Sequence, residues 1–329
     1  MERVRIVFMG TAELSGASLE RLAGDDRFEV VAVVTQPDKP RGRDLKLQPT
    51  PVKVVAERLH LPVHQPLRAR EPQFLERVRQ LQPDLMVVVA YGQILPQVLL
   101  DVPVHGCLNV HTSLLPKYRG AAPIQWAIAN GEAETGVTIM KMDAGLDTGP
   151  ILATRTTPIL AEDNAAVLHD RLAQLGAELL GETIPGYIKG QIKPQPQPVV
   201  GHTYAAKIKK EDGRIDWQRP AREIWNRARA FTPWPGAFTF LPQATGAESA
   251  VGATEPAAGK PLLIKILRLE LAPGQGHPGE VLSADKQGIV VACGEAAVRI
   301  LELQREGGRR LWAEPFLAGC PLRPGVRLL

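Results

Sequence analysis

At 329 residues the chain is long for a single compact core, so two domains are the default expectation. Its 44% hydrophobic and 22% charged residues are those of a globular protein, and no run of about 18 apolar residues argues for a membrane span. Residues 1–189 carry 20 Lys and Arg against 22 Asp and Glu, a net of −2, whereas residues 190–329 carry 19 against 13, a net of +6; the basic half is suited to a polyanionic partner.

The opening MERVRIVFMGTAELSG has only a short apolar run after two arginines, without the features of a signal or transit peptide. Three scattered cysteines, Cys107, Cys293 and Cys320, have no metal-ligand spacing and fit a reducing compartment, so a cytoplasmic protein is expected. VRIVFMG reads as a strand and SGASLERLAG as a helix. The turn between them departs from G-x-G-x-x-G, which points to a tight strand-to-helix turn at Gly10 rather than a dinucleotide site. FEVVAVVTQ is a second strand, followed by a long basic loop, TQPDKPRGRDLKLQPTP, of the size that is usually functional or disordered.

PTPVKVVAERLH and REPQFLERVRQLQ have helical spacing, and PDLMVVVAYG and GCLNVH read as strands. Strands apolar on both faces and alternating with helices predict a parallel sheet covered on both sides, with ligands at the strands' carboxyl ends. NAAVLHDRLAQLGAELLGETIPGYIKG predicts a long helix closing a first domain at 1–189. The Pro-rich run Gln191–Pro198 predicts an extended spacer within a linker at 190–208. In the second domain, 209–329, the runs AFTFL, LLIKILRLEL, GEVLSA, GIVVAC and AVRILEL predict a small β-barrel of about five or six strands. QATGAESAVGATEPAAGKP is expected to connect two of them.

The chemistry concentrates between Asn109 and Asp147. Asn109 and His111 sit two apart at the end of a strand, on one face. The first offers a neutral NH₂ donor, and the second can donate a proton or carry charge. Asp147, 36 positions after His111, can hold that imidazole oriented and charged. Such a set stabilises an oxyanion without supplying a nucleophile, which suggests transfer of an acyl-type group to an amine brought by the substrate. Cys107 shares the face of Asn109 but has no activating neighbour, so it reads as structural.

The strings NVH, SLLP, RGAAPIQWAI, TGVTIM and D-x-G-L-D-T-G-P, in that order, resemble the folate-dependent formyltransferases. TQPDKPRGR and TPVKVVAE before them, and TYAAKI, KKEDGRIDW and RAFTPWPGAF after them, extend the resemblance over most of the chain. Within the family it looks most like the members that act on methionyl initiator tRNA for translation initiation. The resemblance implies an α/β fold, with a Rossmann-like parallel-sheet catalytic domain followed by a small OB-like β-barrel that binds tRNA. It further implies that 10-formyltetrahydrofolate donates its formyl group to the α-amine of the esterified methionine, with no metal. Asn109 and His111 would be the oxyanion donors, and Asp147 would hold His111 and help remove the amine proton.

Asp147 is preferred to Asp143 because it is the second Asp of the family-like pattern. Asp143 is expected to shape the loop by Asx-type bonds while the loop encloses the pterin. The folate would lie along Ser113, Leu114, Leu115 and Pro116, with Tyr91, Gly92, Ile94 and Leu95 around the pterin. Arg41, Arg43 and Lys46 are the implied tRNA contacts in the basic loop, with Arg43 at the arginine of the P-x-G-R pattern. Lys207 and Lys210 are further candidates. No membrane partner is implied, and the chain is expected to act as a monomer. Gly10-Thr11-Ala12-Glu13-Leu14 departs from the family's G-T-P-x-F, which alters loop packing without touching a catalytic atom.

The alternative is a formyltransferase acting on a small amine, a purine precursor or an amino sugar. The basic loop, the basic second domain and Met140, where glycinamide-ribonucleotide enzymes have His, favour tRNA. A non-catalytic RNA-binding protein would be signalled by a broken Asn-His-Asp set, and all three residues are present.

Overall fold

Strands read from apolar runs become the centre of a seven-stranded sheet in the computed structural model, which describes residues 3–41, 46–243 and 259–329. Arg43 and most of the small-residue connection QATGAESAVGATEPAAGKP lie outside the described residues. Two compact units emerge: residues 1–124, 133–160 and 167–206 form the first, and residues 125–132, 161–166 and 207–329 the second.

The first elements are β1 (Val4–Gly10), α1 (Ser15–Ala23), β2 (Phe28–Val34), β3 (Lys39–Arg41), β4 (Lys46–Gln48), α2 (Pro51–Arg58) and β5 (Val63–His64). Then come α3 (Pro72–Leu81), β6 (Leu85–Val89), α4 (Gln97–Leu100), β7 (Cys107–His111), β8 (Arg119–Gly120) and α5 (Pro123–Ala129). β9 (Glu134–Lys141), β10 (Ile151–Pro158), α6 (Ala165–Ile188) and β11 (Tyr204–Ala205) follow. The sheet order is β10-β9-β7-β6-β1-β2-β5. β7, β6, β1, β2 and β5 are mutually parallel, whereas β9 runs antiparallel to β7 and β10 antiparallel to β9. The expected parallel sheet is thus present, and it carries an antiparallel edge of two strands, β9 and β10, whose direction the sequence had left open. All five residues of β6 are buried, as a strand covered on both faces requires.

Local signals explain the helices. Thr50 caps α2, its Oγ1 accepting from the Lys53 amide at 3.2 Å, and Pro51 occupies the first turn where its missing N–H costs nothing. At Gly10 a Cβ would lie 2.7 Å from that of Ser15, so the turn packs the start of α1 directly on the end of β1. The basic loop after β2 contains a hairpin, β3 paired antiparallel to β4, which was not expected. Its base is tied down at Asp38, which accepts from Lys53 Nζ and Gln65 Nε2, both at 2.6 Å. These two partners hold the Asp38 carboxyl below its ordinary range.

Residues 190–206, expected as part of a linker, belong to the first unit. Gln195 exchanges backbone hydrogen bonds with Ile151 at 2.7 and 2.8 Å, and β11 pairs parallel with β8. Proline alternation produced an extended strap on the domain surface rather than a bare spacer.

The second unit contains α7 (Ala221–Ala230), β12 (Ala237–Gln243), β13 (Gly259–Ala272), β14 (Val281–Asp285), β15 (Gly288–Ala292), β16 (Ala297–Arg305), β17 (Arg310–Trp312) and α8 (Ala313–Gly319). The strands form one antiparallel sheet in the order β12-β13-β16-β15-β14, with β17 added to β16. Register breaks at Ile266/Arg268 and Arg268/Leu269 bend the long β13. Residues 326–329 span the gap between the edges. Leu329 exchanges hydrogen bonds with Phe240 of β12, and the Val281 amide of β14 donates to the Val326 carbonyl at 2.8 Å. The sheet thus curls toward the expected small barrel around a core that includes Trp217, Ile266, Val281, Val291 and Ile300. Among the described residues no helix is long and apolar enough to cross a membrane.

Candidate active site

β7 presents Cys107, Asn109 and His111 at alternating positions, so their side chains share a face. The register sets Lys141, the end of β9, opposite Leu108, the second residue of β7. The connection from β9 to β10 then folds back over β7 and brings Asp147 to both polar residues. Asp147 Oδ1 stands 3.5 Å from Asn109 Nδ2 and 3.7 Å from His111 Nδ1. Its other oxygen, Oδ2, accepts from the Gly120 amide at 2.8 Å. The three predicted catalytic residues, 38 positions apart at the extremes, therefore converge.

His111 is 6% exposed, and its Nε2 lies 2.7 Å from the Tyr118 carbonyl oxygen. A carbonyl only accepts, so Nε2 carries a hydrogen and Nδ1 is the position turned toward Asp147. The Asp147 contacts to Asn109 and His111 are long. Neither donor is consumed by a short bond to the carboxylate, so both remain able to serve a developing oxyanion.

The SLLPKYRG loop is built around this pair. Ser113 is buried; its hydroxyl donates to the Tyr118 carbonyl at 2.9 Å and accepts from the Tyr118 amide at 3.0 Å. That commits the Ser113 side chain to shaping the turn. Leu115 is buried as well, while Leu114 and Pro116 are half-buried and form the outer surface. Thr138, which sequence reasoning did not single out, pins the loop to β9. Its Oγ1 accepts from the Leu115 amide at 3.1 Å and donates to the Ser113 carbonyl at 2.6 Å. Gly120 has φ +109, and a Cβ there would lie 2.6 Å from the Ala205 carbonyl oxygen. Only glycine lets the amide that holds Asp147 pass so close to β11.

The residues expected around a pterin divide. Tyr91 and Leu95 are buried in the same core cluster as Cys107, so their side chains face inward. The Tyr91 carbonyl accepts from Thr11 Oγ1 and Gln36 Nε2, each at 2.9 Å. These bonds place the turn across the carboxyl ends of β1, β2 and β6, where the strand order reverses. Gly92 is exposed with φ +81, and Ile94 is 89% exposed. Asp143 is exposed and accepts from the Gly145 amide at 3.1 Å and Thr148 Oγ1 at 2.7 Å, the Asx-type turn its position suggested.

Gln197 is a residue that sequence reasoning missed. It donates to the carbonyls of Asp147 and Gly149 and accepts from Arg119. The available signal was a polar residue between two prolines, whose extended backbone projects side chains outward. A groove of about 470 Å³ beside it is lined by Arg119, Thr148, Pro150, Gln197, Val199 and His202. A larger one, about 780 Å³, lies at the amino ends of the strands around Arg5, Asp84 and Val104, and holds none of the predicted residues.

Of the expected tRNA contacts, Lys46 is exposed on β4 and paired in register with Arg41. Lys207 and Lys210 are exposed in the second unit. Cys107 is buried, and burial pushes its thiol up to about 12, which leaves no thiolate for chemistry. Among the described residues no three His, Cys, Asp or Glu side chains cluster to hold a metal.

Comparison with known proteins bears on this geometry. A model of the formyl transferase family matches residues 3–184, and one of the formyl transferase C-terminal domain matches residues 207–321. The chain is 52% identical over 326 residues to a methionyl-tRNA formyltransferase of Citrifermentans bemidjiense, covering 99% of this chain and 96% of the relative. It is 48% identical over 328 residues to a methionyl-tRNA formyltransferase of Geobacter sulfurreducens, covering 100% and 98%. Among solved structures it is similar to an N-formyltransferase from Helicobacter canadensis in complex with folinic acid and dTDP-3-aminofucose. That match has a TM-score of 0.65 at 20% identity and covers 90% of this chain and 98% of the other, a likeness of fold.

Proposed function

The chain belongs to the formyl transferase family, and we propose that it transfers the formyl group of 10-formyltetrahydrofolate to the α-amine of methionyl initiator tRNA. The observation that carries this reading is the convergence of Asn109, His111 and Asp147 on one face of β7, in a chain similar along its whole length to methionyl-tRNA formyltransferases.

The amine nitrogen attacks the formyl carbon, forming a C–N bond and placing negative charge on the formyl oxygen. Asn109 Nδ2 and His111 donate to that oxygen. Each donor aimed at a developing oxyanion is worth about 3–4 kcal/mol of barrier. Collapse breaks the bond from carbon to the folate nitrogen, which takes up a proton as the amine loses one. Asp147, held by the Gly120 amide, accepts that amine proton directly or through water. Leu114 and Pro116 supply the half-buried apolar wall along which the folate lies. Arg41, Arg43 and Lys46 meet the acceptor end, where a weak first base pair makes unpairing inexpensive. Lys207 and Lys210 add phosphate contacts.

The test presents methionyl initiator tRNA, methionyl elongator tRNA and glycinamide ribonucleotide to the enzyme with the same folate donor. Formylation of the initiator tRNA, strongly preferred over the other two, is expected. Formylation of glycinamide ribonucleotide alone would overturn the reading.

A further inference from the structure

We propose that Gln197 is a positioning residue for the Asp147 carboxylate, acting from the strap that composition marks as a spacer. Its Nε2 donates to the Asp147 carbonyl and to the Gly149 carbonyl, both at 2.8 Å. Its Oε1 accepts from Arg119 Nε at 3.1 Å and Arg119 Nη2 at 2.8 Å. The residue after Arg119 is Gly120, whose amide holds Asp147 Oδ2. One two-residue segment thus grips Asp147 twice: through Gly120 on the carboxylate, and through Arg119 and Gln197 on the main chain.

This grip answers a specific need. Asp147 has φ +52, a left-handed conformation that a non-glycine residue holds only when its surroundings over-determine it. The geometry of the site depends on it, because rotation about that backbone would carry Oδ1 away from Asn109 and His111. A carboxamide is the side chain that fits. Its NH₂ supplies two hydrogens to two carbonyls while its oxygen takes a guanidinium fork. A carboxylate could satisfy Arg119 but would face both carbonyls without a donor. Pro196 and Pro198 fix the backbone on either side, and the paired hydrogen bonds between Gln195 and Ile151 anchor the strap two residues upstream. Gln197 also lines the 470 Å³ groove, so the grip is exposed to whatever enters there.

The proposal rests on the reading of Asp147 as a working group, and the experiment separates the two. Gln197→Ala and the near-isosteric Gln197→Met and Gln197→Glu are assayed by single-turnover formylation of methionyl initiator tRNA at saturating donor. Each is also made in an Asp147→Asn background. Expected are a loss of about tenfold in the single-turnover rate, KM values for donor and tRNA within about twofold of the parent, and Gln197→Glu no better than Gln197→Met. In the Asp147→Asn background Gln197→Ala or Gln197→Met should change the rate by less than about twofold, because the group it positions is already gone. A parental rate for Gln197→Met, full activity of Gln197→Glu, or an undiminished loss in the Asp147→Asn background would overturn the proposal alone. A near-parental rate for Asp147→Asn by itself would overturn the reading beneath it, and the proposal with it.

Discussion

Replacing Asp147 by Asn removes one charge while keeping the shape of the loop. The amide oxygen can still accept from Gly120, so the 2.8 Å bond that orients the residue survives. The imidazole loses a carboxylate 3.7 Å from its Nδ1. At an effective dielectric of about 20, opposite unit charges at this separation attract by about 4 kcal/mol. Screening reduces this little, since the two side chains are 7% and 14% exposed. Every 1.36 kcal/mol is about tenfold in rate, so if the Asp147 charge supports a cationic His111 as donor to the oxyanion, Asp147→Asn is slower by up to about a thousandfold. Loss of the proton acceptor acts in the same direction. The assay is single-turnover formylation of methionyl initiator tRNA, with KM for the folate donor measured alongside and thermal melting as the control for folding. A rate within about tenfold of the parent, in a protein that melts normally, would refute the electrostatic role.

Asn109→Ala should lower kcat by about 10²–10³, with KM for either substrate little changed, because the lost donor acts on the oxyanion rather than on the ground state. Gly120→Ala places a methyl group 2.6 Å from the Ala205 carbonyl at φ +109. Denaturant unfolding should show a loss of about 1–3 kcal/mol, and activity should fall because the amide that holds Asp147 moves. For Arg43→Ala, a large loss on initiator tRNA with the donor KM unchanged is expected in steady-state assays. A thiol reagent on the native protein should label Cys320 quickly, since it is only half-buried, and leave Cys107 and Cys293 slow. Burial pushes those two thiols up to about 12 and about 11.

The central strands and the shared face of Asn109 and His111 were legible because one-dimensional patterns dictate them. An apolar run as short as Leu85–Val89, alternating with helical segments, reads as a strand buried on both faces, and residues two apart on β7 must share a face. The hairpin of β3 and β4 was not legible, since three-residue strands with Lys, Pro and Arg carry no apolar period. Nor was the reversal at β9, because the buried run of that strand has the same appearance whichever way it pairs. Ser113, Tyr91 and Leu95 were read as ligand contacts from their place in motifs. The structure uses their side chains to build the loop and the core, a division that motif position does not encode. Gln197 was hidden because proline-rich composition describes how a backbone extends but not what its side chains reach.

The same geometry argues that formyl passes directly from donor to amine, with no formyl-enzyme intermediate. A covalent route needs a nucleophile within reach of the oxyanion donors. Cys107 shares their face of β7, but it is buried, its sulfur faces the Leu100 carbonyl, and burial raises its thiol to about 12. Ser113 stands two residues beyond His111, but both its donor and an acceptor position are bound to Tyr118. The imidazole offers no better route, because Nε2 is committed to the Tyr118 carbonyl, and an Nδ1 that carries the hydrogen donated to the formyl oxygen has no lone pair to attack with. Of these described residues, what remains are donors and one proton acceptor, which suit a neutral amine carried in by the substrate. Both substrates must then be bound together before either bond changes, so the site can discriminate among acceptors at the moment of transfer rather than after a committed half-reaction.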